Sequence, residues 1–395
     1  MRIAITHHSL KGLGGTETYV STIGDVLQRD GHEVWLYAPE RGKGSELAEE
    51  FGLRVVTSVH DLPADLDVAI PQDAPSTLDV LAVYPELPQI FVSHTELFDV
   101  GLPPQVVGAL KAVVTLYDRA HNRVLAQSIQ VPVERLRQPV DIERFKPLSQ
   151  LPDKPRTARS FGNYLTGERL RVVERACELA GIEFSLGGAS SGELELRPEY
   201  RLNEVDIVFG KAKVIHEAMG CGRAAYVLDH NGAEGWVTAE NYETLVADNF
   251  GGRTAPRPFD AESLAADLGN YDPAMGLVNR DLIVAHHDAI AHTAGLMEIV
   301  RRHVDDPGPR PDPANVAELA QLTRIAWKHQ GEAFQLRNQI EAKSLQMGDA
   351  MWRAEVAEAE LAAARQDAEN IKREYERRER TLPTLKRLIK QVLRK

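Results

Sequence analysis

The chain has 395 residues, 43% of them hydrophobic and 26% charged, with a formal net charge of −12; this suits two or three packed domains and excludes a wholly disordered polypeptide. The acid excess excludes nucleic acid as a default partner, since phosphate binding needs a concentrated basic face. Two cysteines, Cys177 and Cys221, are too few for a disulfide framework or a zinc site and fit a reducing cytoplasm. The start MRIAITHHS lacks the basic end and long apolar stretch of a secretory leader, and no apolar run approaches bilayer-spanning length.

Short apolar runs at Ile3–Thr6, Val34–Tyr37, Arg54–Thr57, Asp67–Ile70, Ile90–His94 and Val113–Leu116 read as buried strands. Between the first two, Val20, Ile23 and Leu27 fall at helical spacing, and Asp30-Gly31 stops the helix. Such βαβ alternation predicts a parallel, doubly wound sheet that binds ligands beyond the carboxyl ends of its strands. A second α/β unit is expected from about Arg159 to Asn249, with strands at Phe184–Leu186, Val205–Phe209 and Ala224–Leu228. Ala261–Val304 reads as helical and able to pack back across both units. The expected domains are 1–150, 151–304, a proline-rich linker at 305–314, a coiled coil at 315–380 and a basic helix at 381–395.

One heptad register supports the coiled coil. Its a positions are Leu319, Ala326, Ala333, Ile340, Met347, Ala354, Leu361, Ala368 and Tyr375, and apolar d positions include Leu322, Leu336 and Ile371. The seam implies a rod of about 90 Å at 1.5 Å per residue and a homo-oligomer. After Pro383, Leu385, Leu388, Ile389, Val392 and Leu393 share one face beside Lys386, Arg387, Lys390, Arg394 and Lys395. A basic amphipathic helix at 384–395 suits the anionic inner surface of the cell membrane, which predicts a cytoplasmic, peripheral protein.

Three segments carry chemistry. Lys11-Gly-Leu-Gly-Gly-Thr-Glu17 joins the first strand to a helix, so Gly14, Gly15 and Thr16 can approach a phosphate or sugar. In Asp206-Ile-Val-Phe-Gly-Lys-Ala-Lys-Val-Ile-His-Glu217, a strand and glycine turn lead into a helix; there Lys211 could neutralise a diphosphate and Glu217 grip ribose hydroxyls, with Phe209 and Gly210 at the same junction. His94 closes an apolar strand on its cleft side and could bind substrate or relay a proton. The group His286, His287, Asp288 and His292 lacks the spacing of a metal site, so no metal is expected.

These pieces, GLGGTETYV, VSHTE, RLRQPVDIERFKP and HEAMGCGRAAYVLDHNGAEGW, resemble the retaining glycosyltransferases of family 4, over about residues 1–300. The resemblance implies an α/β GT-B fold, two Rossmann-like domains with a cleft between them, and metal-independent sugar transfer from a nucleotide-diphosphate donor without a further cofactor. It implies a glycan or lipid-linked acceptor, in cell-surface polysaccharide synthesis. Gly14 and Gly15 would face the donor, His94 would lie near the reacting carbon and Glu217 would hold the ribose. The glutamate usual eight positions before Glu217 is Phe209, and the usual basic pair opening the second domain is replaced by Gly162, Asn163 and Arg169. Lys211 and Arg169 are therefore expected to stabilise the leaving diphosphate. Two other readings remain: a non-catalytic scaffold at the membrane, and another GT-B enzyme such as a sugar-nucleotide epimerase.

Overall fold

The computed structural model describes residues 1–95, 98–104, 110–161, 165–188, 196–229, 232–305 and 316–340, with short stretches between 343 and 373. Contacts divide the chain into two compact units, Met1–Gln335 and Leu336–Lys395.

The first unit opens with seven strands: β1 (Arg2–Thr6), β2 (Glu33–Tyr37), β3 (Arg54–Val56), β4 (Val68–Pro71), β5 (Gln89–Ser93), β6 (Leu110–Thr115) and β7 (Val133–Arg135). They form one sheet in the order β3-β2-β1-β4-β5-β6-β7, every pair parallel. The crossovers carry α1 (Gly15–Arg29), α2 (Lys43–Glu50), α3 (Ala74–Val83) and α4 (Asp118–Leu125). Helices cover both faces, which is why the central strands are continuous apolar runs rather than alternating ones. Strand order reverses between β1 and β4, and that is where a doubly wound sheet opens a crevice at its carboxyl edge.

A second sheet follows, built from β8 (Thr157–Ser160), β9 (Glu183–Leu186), β10 (Ile207–Gly210), β11 (Ala224–Asp229) and β12 (Gly232–Trp236) in the order β12-β11-β10-β8-β9. The first four are mutually parallel and β12 runs antiparallel at the edge. Its helices are α5 (Gly167–Ala180), α6 (Pro198–Asn203), α7 (Lys213–Gly220) and α8 (Tyr242–Ala247). The switch point lies between β8 and β10.

The helical stretch expected at 261–304 is three helices, α9 (Ala261–Leu268), α10 (Ala274–His286) and α11 (Ala289–His303). α9 packs on α5 and α10 on α7, whereas α11 packs on α1 of the first sheet. Leu296, Met297, Ile299 and Val300 of α11 join that sheet's core, each side chain contributing about 1.5–3 kcal/mol by burial.

The chain thus crosses between sheets twice, and the two crossings are bonded together. Val140 N–H donates to the His287 carbonyl at 2.7 Å, and Ala289 N–H to the Val140 carbonyl at 3.0 Å. Two histidines reinforce the seam. His287 Nδ1 donates to the Gln138 carbonyl at 2.6 Å and His292 Nδ1 to the Arg137 carbonyl at 2.8 Å. A carbonyl can only accept, so both rings carry their proton on Nδ1 and leave Nε2 as an acceptor. Those acceptors take the hydroxyls of Tyr242, at 2.7 Å, and Tyr19, at 2.9 Å. The segment PVDIERFKP is held as firmly: Arg280 donates to the carbonyls of Phe145, Gly220 and Ile142 at 2.6 to 2.9 Å.

Residues 316–340 are helical and are called α12 here. Its early turns pack on the first unit instead of standing free: Val316 and Ala320 are buried with Leu78 and Leu81 of α3, and Arg324 pairs with Asp79. The face used includes Leu319 of the heptad seam but otherwise lies beside it, and most of the seam stays open to solvent. Leu322, Leu336, Ile340, Met347 and Leu361 are all more than half exposed. The expected linker at 305–314, apart from its first residue, and the basic helix at 384–395 lie outside the described residues, as does most of the expected coiled coil beyond 340.

Candidate active site between the two sheets

On the first sheet, β1 delivers His7 and His8 to the switch point and β4 delivers Gln72 and Asp73. Asp73 is fully buried and caps α3, its Oδ1 accepting from Ser76 N–H at 2.8 Å. Its Oδ2 accepts from His7 Nδ1 at 2.6 Å, His8 N–H at 2.8 Å and His8 Nδ1 at 3.2 Å. Burial opposes the carboxylate charge, but the two imidazoles outweigh it and hold Asp73 well below the usual carboxylate range. For His7 burial likewise opposes the charge, and Asp73 and Glu17 overcome it, raising its pKa. These three side chains place potential metal-ligand atoms within 4.8 Å of one another. The Asp73 carboxylate oxygens are already engaged by four donors, so a cation there would have to displace imidazole or backbone hydrogen bonds.

His94 stands just past β5, partly exposed at the same carboxyl edge. Gln72 Nε2 donates to the Ile70 carbonyl at 2.8 Å, which fixes its Oε1 as the acceptor for His94 Nε2 at 2.6 Å. The His94 proton therefore resides on Nε2 and its Nδ1 lone pair is left to accept. Desolvation and the neighbouring His7 push its pKa down to about 3, so the ring is neutral in ordinary buffers. It can receive a hydroxyl proton in a hydrogen bond but cannot supply a positive charge.

The glycine loop enters α1 with Gly14 and Gly15 exposed. Glu17 folds back so that its Oε2 accepts from Gly14 N–H at 3.0 Å. One of the amides expected to meet a phosphate or sugar is thus already occupied. A Cβ at Gly14 would lie 2.8 Å from that carboxylate, whereas one at Gly15 would meet nothing within 4 Å.

On the second sheet, β10 ends in Gly210, followed by Lys211, half-buried, and Ala212 at φ +48°. A β-carbon at Gly210 would lie 2.6 Å from Val214, a packing reason for glycine independent of any ligand. Phe209 points the other way: it is fully buried and edge-on to Tyr226 at 5.5 Å. Its side chain fills the core instead of the cleft where a carboxylate was expected to act. Arg169 lies in the first turn of α5, with its Nη1 buried and without a hydrogen-bond partner among the described residues. Gly162 and Asn163 lie outside the described residues.

The two halves meet in a narrow crevice lined by Thr18, Tyr19, Gln138, Asp141, Lys213 and Glu217, among others. Glu217 is only 7% exposed, and Lys213 one turn earlier on α7 approaches its Oε1 to 3.1 Å. Tyr19 connects the sides: it lies edge-on to His94 at 4.7 Å while its hydroxyl bonds His292. Glu217 and Tyr19 thus share the crevice, with His94 behind Tyr19. Tyr19, Asp73, Gln72, Lys213 and His216 were not singled out from the sequence. His7 and His8, directly after an apolar strand, were the one local signal for the buried cluster. On the outer side Trp327 of α12 lies over His8, rings 3.9 Å apart, and against Phe98 at 6.0 Å.

No protein-family model matches this sequence, and no curated protein does. Solved structures do match. The Anabaena protein HepE in complex with UDP and glucose is 13% identical with a TM-score of 0.52, covering 76% of this chain and 100% of its own. AviGT4, a glycosyltransferase involved in avilamycin A biosynthesis, is 16% identical with a TM-score of 0.51, over 78% of this chain and 99% of its own. A candidate UDP-N-acetylglucosamine 2-epimerase of Listeria monocytogenes is 12% identical with a TM-score of 0.50, over 79% and 98%. At these identities the likeness is one of fold, and it agrees with the two-sheet GT-B architecture expected from the motifs.

Proposed function

We propose that this chain is a glycosyltransferase that moves a sugar from a nucleotide-diphosphate donor to a glycan or lipid-linked acceptor, with retention at the anomeric carbon and without a metal. The observation that carries this reading is Glu217: a carboxylate nine-tenths buried, paired with Lys213, on the wall of the crevice between two doubly wound sheets. Burying an acid there is costly unless it is answered by a cation and by polar groups of a ligand. Ribose hydroxyls are such groups. As the bond to the leaving diphosphate breaks, negative charge grows on phosphate oxygens and positive charge on the anomeric carbon. Preplaced cations then stabilise the transition state more than the ground state. Lys211 and Arg169 are assigned that role, and neutral His94 a hydrogen bond to a sugar hydroxyl.

The reading is tested by a thermal-shift screen of UDP-, GDP- and ADP-sugars followed by turnover. A donor at 100 times its dissociation constant stabilises the fold by about 2.7 kcal/mol. Glu217→Gln is expected to weaken nucleotide binding by roughly 1.5–3 kcal/mol, the range for a charge-assisted hydrogen bond. Calorimetry showing unchanged affinity would remove Glu217 from the site.

The scaffold reading has one observation in its favour, the core-facing Phe209. It is distinguished by donor binding without turnover or hydrolysis. Assembly belongs to the same proposal. Leu336, Ile340, Met347 and Leu361 sit on one heptad seam and are each more than half exposed, which fits a second copy pairing along it. Light scattering is expected to give a dimer or small oligomer for the full chain and a monomer for a version ending at Gln335. Monomers in both would end the idea. No helix among the described residues is long and apolar enough to cross a membrane. Attachment to an anionic surface through 384–395 remains a proposal resting on charge and periodicity alone.

A further inference from the structure

Three neutral histidines surround the seam between the sheets, and one of them is incomplete. His287 and His292 each donate through Nδ1 to a backbone carbonyl of the first crossing, Gln138 and Arg137, and accept a tyrosine hydroxyl at Nε2. His216, on α7, follows the first half of the pattern: its Nδ1 donates to the Ala212 carbonyl at 3.0 Å. That bond fixes the tautomer and makes Nε2 a lone-pair acceptor. Yet Nε2 is buried with no partner among the described residues, and the side chain is 1% exposed. Neither tyrosine can serve, since the hydroxyls of Tyr242 and Tyr19 are committed to the other two rings. The His216 ring meets Phe250 and His287 edge-on, at 4.8 and 4.6 Å, contacts that hold it in place without offering a proton.

A buried acceptor left unsatisfied costs about 1–3 kcal/mol, and this one belongs to a residue lining the crevice beside Glu217. We propose that His216 Nε2 is a binding element for a hydroxyl of the bound nucleotide sugar, acting next to Glu217 in the crevice. The assignment rests on the glycosyltransferase reading and deepens it. A ring held neutral by burial favours an uncharged donor, which a ribose or sugar hydroxyl supplies and a phosphate does not. The crevice is narrow, so the ligand reaches Nε2 as the two sheets part slightly, and the hydroxyl then occupies the position that tyrosines fill at His287 and His292.

The test uses the full chain with UDP, GDP, ADP and UDP-glucose as probes, and His216→Leu and His216→Gln as variants. For the probe that the wild type binds, His216→Leu is expected to weaken affinity about tenfold, with the melting temperature of the unliganded protein unchanged or raised. His216→Gln, whose amide oxygen accepts, is expected to recover part of that loss. Loss already seen with the nucleoside diphosphate assigns the hydroxyl to ribose; loss confined to UDP-glucose assigns it to the sugar. Equal affinity of wild type and His216→Leu for a bound probe overturns the assignment alone. If the folded wild type binds none of the probes, the donor reading fails and takes this inference with it. A second measurement does not depend on a variant's folding: in protein labelled with ¹⁵N-histidine, the unprotonated Nε2 resonance of His216 is expected to move when the bound probe is added. A resonance that stays still overturns the proposal.

Discussion

Acidification from pH 7.5 to 5.5 is expected to lower the stability of this protein by about 1.4 kcal/mol for each buried neutral histidine at the seam. Burial pushes His216 and His292 down to about 4 and His287 well below its ordinary value. In the unfolded chain each titrates near 6.5. Between pH 6.5 and 4 the unfolded state therefore takes up protons that the folded state refuses, so stability falls as pH falls and levels off below the folded values. His7 works in the opposite direction. Its pKa is raised, so its contribution is present below 6.5 and is lost as pH rises through the folded value, which offsets part of the loss. His94, pushed down to about 3, and His32, also lowered, add to the acid loss, so the net sign is unchanged. Urea melts at the two pH values measure it, and His292→Gln should show a smaller acid loss than the wild type. Stability that is flat or rises on acidification would mean that these rings are already protonated, and the tautomers assigned to the seam would be wrong.

The parts of this molecule that were legible in the sequence are those whose signal is local. β1 to β6 and β9 to β11 are short runs built around apolar residues, buried except at the edge strands β3 and β9, and each was found within a residue or two, or three for the start of β6. β8 was missed although it is an interior strand of the second sheet, because Thr157-Ala-Arg-Ser160 buries only small side chains. β7 is short and polar, and β12 contains Gly232 and Gly235 at positive φ, which sequence reading assigns to turns. The site divides the same way. Glu217 could be suspected because it interrupts an apolar run, but Asp73 and His8 meet across 65 residues, and no spacing rule joins them. Phe209 shows the limit of motif reasoning: the position was read as part of a ligand junction, while strand alternation turns its ring into the core. The heptad of α12 was visible, yet a heptad has more than one face. The surface that packs on the first sheet's helix α3 and on His8 uses Val316, Ala320, Arg324 and Trp327, a mixture that no hydrophobic pattern marks.

Arg169→Ala is expected to lower kcat by about 10² to 10³, the usual cost of removing one preplaced donor to developing charge. The residue lies in the first turn of α5, just beyond the carboxyl end of β8 and beside the strand-order switch of the second sheet. A diphosphate in that crevice would meet both the helix start and the guanidinium. Arg169 Nη1 is buried without an acceptor among the described residues, an expensive arrangement for a charged group unless a ligand completes it. A guanidinium kept only for packing would behave differently. Its removal would lower the melting temperature and leave the kinetics of the surviving folded protein intact. If instead it waits for phosphate oxygens, the alanine variant should be as stable as the wild type or more so. Turnover should fall far more than nucleoside binding, because the interaction strengthens as the leaving group gains charge. Arg169→Lys should restore part of kcat, keeping a charge but losing the planar fork that can hold two oxygens at once. Measuring kcat and KM for the donor, with the melting temperature of each variant, separates the cases. An unchanged kcat in a folded Arg169→Ala protein would assign the leaving-group charge elsewhere, with Lys211 and Lys213 the other cations at the start of α7.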